Sequence, residues 1–120
     1  MTFEKQVATV LRNLAVIGKI QFYLSPMTIC YSEFQGVADA IESKKIAVVC
    51  TPSKTATFSF YDATINTMVL RTKDTHSVKP RSLIVHEAVH AMNDINRQQG
   101  LIKDDDEAAA YLAQGMYLAR

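Results

Sequence analysis

Apolar residues near the start of the chain fall at Phe3, Val7, Val10, Leu11, Leu14 and Ile17. Spacings of three and four place them on one face of a helix, and Gly18 offers a stop, so the pattern predicts an amphipathic helix over Thr2–Ile17. Ile20–Leu24 reads either as a short strand or as a frayed continuation of that helix. Ser25-Pro26 supplies a capping hydroxyl followed by proline at a first helical position. Met27, Cys30, Tyr31, Phe34, Val37, Ala38 and Ile41 then recur with helical period to about Ser43. Simple packing accounts for the apolar residues of both helices.

The period then shortens. Ile46–Cys50 is a β-branched apolar run closed by Thr51-Pro52. Thr55–Tyr61 alternates, with Phe58 and Phe60 on one side and Thr57, Ser59 and Tyr61 on the other. Asp62–Asn66 is rich in turn formers, and Thr67–Thr72 resumes as a strand. These segments predict a three-stranded, mostly antiparallel sheet with a hairpin around Asp62–Asn66. A polar loop, Lys73–Lys79, leads to a long helix over Pro80–Gln98, which stops near Gly100. A last helix runs from about Asp104 to the end. Helices before and after a small sheet make the expected class α+β, and residues 1–120 read as a single domain without repeats or linkers.

Composition narrows the function classes. The chain has 120 residues, is 48% hydrophobic and carries a net charge of +1. It is large enough for one modest core. No basic stripe points to nucleic acid, and no apolar run approaches a membrane span. The first residues, with an early Glu4, do not read as a secretory signal. Cys30 and Cys50 lack metal or redox spacing and read as free core thiols, which makes the cytoplasm the expected compartment.

Chemistry concentrates at His86-Glu87-Ala88-Val89-His90. Histidines four apart on a helix lie one turn above each other and can share one ion at about 2.0–2.1 Å, the zinc–nitrogen distance. Glu87 points beside that ion, where a carboxylate can take the proton of an attacking water. This is the H-E-x-x-H pattern of zinc peptidases. Against it stands coincidence, since a short motif recurs by chance and a buried histidine is commonly a core residue. Of the three histidines in the chain, however, two fall at this spacing around a glutamate.

A catalytic zinc needs a third protein ligand and an open position. Asn93 and Asn96 stand where a metzincin extension would need Gly and His, so that class is excluded. Asp104, Asp105, Asp106 and Glu107 remain. Glu107 is preferred, because Ala108, Ala109 and Ala110 would let the last helix approach the motif helix closely. The competing reading makes Asp104 and Glu107 a reciprocal helix cap, with the three aspartates solvated in the first turn. Tyr111, one turn beyond Glu107, either aims its hydroxyl at a developing oxyanion or packs in the core. Asp94 either orients a ligand or sits exposed. His76 is either a surface residue or a contact for substrate and transition state.

Together these residues resemble the gluzincins, zinc metallopeptidases with H-E-x-x-H and a glutamate on the following helix. The hairpin Phe60–Leu70 and the run from Glu107 to Ala113 look like the corresponding parts of the ImmA/IrrE-type group, and the size resembles the minigluzincins. The resemblance covers the second half of the chain. It implies zinc held by His86, His90 and Glu107, Glu87 as general base and acid, and an edge strand holding an extended peptide or protein substrate. Thr67–Arg71 is the expected edge. The expected activity is a zinc-dependent endopeptidase. The alternative is a zincin-like module of weak or no activity that serves binding or regulation, since so short a chain predicts a shallow cleft.

Overall fold

A computed structural model describes residues 1–52, 58–96 and 103–119. The helices are α1 (Phe3–Arg12), α2 (Leu14–Ile17), α3 (Tyr31–Glu42), α4 (Val78–Ile95) and α5 (Lys103–Leu118). The strands are β1 (Phe22–Leu24), β2 (Met27–Ile29), β3 (Ala47–Cys50), β4 (Phe60–Asp62) and β5 (Thr67–Leu70). The class is α+β, as the alternation of periods predicts. None of the described helices is long and apolar enough to cross a membrane.

The N-terminal helix is broken. Thr2 caps α1 by accepting the Lys5 N–H at 3.2 Å, but Asn13 is extended, with ψ at 94°. The break turns Leu14, which the periodicity placed on the apolar face, out to 64% exposure. α1 is held to α3 by polar groups at its end. The Arg12 guanidinium donates to Asp39 at 2.7 Å, Glu42 at 3.1 Å and Gln35 at 3.0 Å. Gln35 and Tyr31 in turn donate to the carbonyls of Leu11 and Arg12, at 2.7 and 3.1 Å. A cation at a helix C-terminus also answers the dipole there.

Ser25-Pro26 does not open a helix. It is the two-residue loop, with a cis peptide, of an antiparallel hairpin in which Leu24 faces Met27 and Phe22 faces Ile29. Met27 and Ile29 are buried while Thr28 is exposed, a period of two that is only three residues long. The helical period of the downstream residues masks it, and α3 starts at Tyr31 instead. Both cysteines are free, as expected, but half-buried rather than in the core.

The larger sheet is mixed, not mostly antiparallel. Its order is β3-β5-β4, with β3 parallel and β4 antiparallel to β5. The hairpin over Asp62–Asn66 forms as predicted, while residues 55–57 of the expected strand lie outside the described residues. The expected edge, Thr67–Arg71, is the centre of the sheet. All four residues of β5 are buried, as a strand covered on both faces requires. The edges are β3 and β4.

α4 packs most extensively on α5, and α3 also touches it. Ile84, Val85, Ala88, Val89, Ala91 and Met92 are all buried along α4. α5 meets it with Ala109, Ala110 and Ala113, each fully buried, whereas Ala108 faces solvent. Small residues allow this close approach. The start of α4 is held by Asp74, which accepts the backbone N–H groups of His76 and Ser77 at 2.8 and 3.0 Å.

Hydrogen bonds from the Ser77 side chain and backbone, and from the His76 backbone, lower the Asp74 pKa from 3.8 to about 2. A depressed carboxylate contributes stability that is full above its unfolded pKa and is lost as pH falls through its folded one. Asp74→Ala is therefore expected to lower the urea midpoint at neutral pH, with the gap from wild type narrowing between pH 4 and about pH 2. A gap independent of pH over that range would contradict this capping role.

Candidate metal centre

The site forms where α4, α5 and the β4 edge meet, around a cavity of about 1100 Å³. The edge of the sheet supplies the second wall of this cleft. α4 carries His86 and Glu87 into it, 7% and 3% exposed, and His90 one turn on.

Each histidine is oriented by an oxygen from α5. His86 Nδ1 lies 2.9 Å from Gln114 Oε1, and His90 Nδ1 lies 2.8 Å from Asp106 Oδ2. An acceptor at Nδ1 places the ring proton there and leaves the lone pair on Nε2. The two Nε2 atoms converge on one atom, Glu107 Oε1, at 3.2 and 2.6 Å. The ligand atoms of His86, His90 and Glu107 all lie within 4.8 Å of one another.

This arrangement fits a divalent ion. Three electron-pair donors facing inward repel unless a proton or a cation lies between them. Tetrahedral ligands at zinc distances stand about 3.3 Å apart, close to the His86–Glu107 separation. The His90–Glu107 contact is the shorter of the two. Burial disfavours charge on His90, but the hydrogen bond and charge of Asp106, with Glu87 and Glu107 behind it, outweigh burial and raise its pKa. An ion entering the site would compete with protonation of the imidazoles.

Glu87 stands beside the three ligands without sharing their contact. Its Oε2 accepts the Ser59 hydroxyl at 3.0 Å. Burial raises its pKa, against the pull of His86 and the Ser59 hydrogen bond. The site thus holds a buried carboxylate of increased basicity next to a cation-seeking cluster.

The other expected residues divide. Glu107 is where the sequence reading put it. Of the aspartates, Asp104 and Asp105 are absent from the cavity wall, and α5 begins at Lys103, so Asp104 lies inside the first turn rather than capping it. Asp106 is not a solvated residue. Its second oxygen accepts the Asn93 amide at 2.7 Å, and those hydrogen bonds, with the neighbouring histidines, lower its pKa although burial opposes this. Tyr111 is 61% exposed and sets its ring edge-on to His86, centroids 4.6 Å apart, so it is not a core tyrosine. Asp94 orients no histidine; it accepts the Tyr61 hydroxyl at 2.8 Å. His76 lies before α4, whose first residue precedes His86 by about 12 Å of helix axis. It is not among the residues lining the cavity.

Sequence reasoning missed Ser59 and Gln114, and weighed Asp106 only as a third ligand or a solvated residue. A signal existed for Gln114: Glu107, Tyr111 and Gln114 share one helix face at i, i+4 and i+7. Ser59 carries no such signal, because it lies outside both the motif helix and α5. Comparison with protein-family models, with curated proteins and with solved structures finds no match to this chain.

Asp106→Ala is expected to weaken zinc binding roughly 10–100-fold, measured by competition with a chromophoric chelator, while Asp104→Ala leaves it unchanged. Equal affinities in both variants would remove Asp106 from the support of His90.

Proposed function

We propose that this chain is a zinc-dependent peptidase of the gluzincin type. The observation that carries the reading is Glu87, a buried carboxylate of raised pKa set beside three converging metal ligands. An ion serving only stability has no use for it, and burying a carboxylate has a cost.

His86, His90 and Glu107 would hold a zinc ion, which when bound would supply Lewis acidity to a water and a carbonyl. Glu87 takes the proton of the attacking water and delivers it to the departing amide nitrogen. His86, His90 and Glu107 would hold the ion at the cavity, and the Glu107 side chain is 43% exposed. Tyr111, edge-on to His86 at the mouth, is the residue suited to donate to the oxyanion. β4 replaces Thr67–Arg71 as the strand on which an extended substrate pairs, because it is the sheet edge lining the cavity. His76 has no part in this reading.

Glu87→Gln is expected to retain zinc and lose hydrolysis of a fluorogenic peptide library by about 100-fold or more. Full activity in that variant would defeat the mechanism.

A further inference from the structure

We infer that Ser59 is a positioning residue that ties the β4 edge to Glu87 and fixes which carboxylate oxygen works as the base; this rests on the peptidase reading. Ser59 lies one residue before β4 and is half-buried. Its hydroxyl donates to Glu87 Oε2, and among the described residues Oε1 takes no hydrogen bond. With one oxygen tied, rotation of the carboxylate is restricted, and Oε1 is presented in a constant direction. A hydrogen bond to an ionised carboxylate in a buried site is among the stronger ones.

The strand carrying Ser59 is anchored on both sides of it. Arg71, just past β5, donates from Nε to the Phe58 carbonyl at 2.9 Å and from Nη1 to the Thr51 carbonyl at 3.0 Å. Its guanidinium also lies over the Phe60 ring, 5.5 Å from the centroid. Two residues after Ser59, on the same side of the strand, Tyr61 donates to Asp94 of α4. Burial, followed by the Asp94 hydrogen bond, raises the Tyr61 pKa, so its hydroxyl remains a donor at working pH. Ser59 and Tyr61 thus fix the strand against α4 at two points, Glu87 and Asp94. The strand proposed to carry the substrate and the helix that carries the base are held in one register.

The test compares wild type, Ser59→Ala and Ser59→Thr for bound zinc, kcat and KM on one cleaved peptide. Ser59→Ala is expected to keep its zinc and its KM and to lose about tenfold in kcat. Ser59→Thr, which retains the hydroxyl, restores most of that loss. A double-mutant cycle of Ser59→Ala with Glu87→Ala, read in urea midpoints, is expected to be non-additive. Wild-type kcat in Ser59→Ala, a loss that threonine does not rescue, or additive midpoints would each overturn the assignment. Inactivity common to wild type and every variant would instead defeat the peptidase reading and take the assignment with it.

Discussion

A buried His86 and a half-buried His90, both aiming Nε2 at one carboxylate oxygen, set the constraint to which the second half of this molecule answers. His86 and His90 cannot both present Nε2 to Glu107 unless α5 lies close against α4, and the buried alanines of α5 allow that approach. The same helix must then supply an acceptor for each Nδ1, and it does so with Gln114 and Asp106. One helix–helix interface therefore provides the third ligand and both orienting oxygens. Glu87 lies outside that set and is held from the sheet side.

The concentration of charge suits the centre to a cation. Glu87, Asp106 and Glu107 bring three carboxylates to two imidazoles in a partly buried place. Burial opposes charge on His90, yet the hydrogen bond and charge of Asp106, with Glu87 and Glu107, raise its pKa. A divalent ion would balance the three carboxylates, and Asp106 would then strengthen His90 as a ligand. Isolated buried carboxylates would be costly here, so the cluster makes physical sense as a binding site and poor sense as core packing.

Much of this was legible in the residues. The change from helical to alternating period located the sheet, and H-E-x-x-H with a glutamate on the next helix located the cluster that could hold a metal. The failures have particular causes. Ser25-Pro26 satisfies a helix start and a hairpin loop equally well, and the three-residue strand after it was too short to decide. The run Thr67-Met68-Val69-Leu70 lacks alternation because both faces are covered, which is the mark of a central strand rather than an edge. Ser59 and Tyr61 alternate with Phe58 and Phe60 as expected, yet the polar side faces α4 and the phenylalanines are exposed. The usual rule of apolar side inward fails at that strand because the space it faces is the site itself.

The central claim is that His86, His90 and Glu107 together hold one divalent ion. Equilibrium dialysis of zinc against wild type and Glu107→Ala, read by elemental mass spectrometry, tests it most directly. The account predicts about one zinc per chain in the wild type and a sharply weakened site in the variant. Zinc held equally well by both proteins, or by neither, would contradict it.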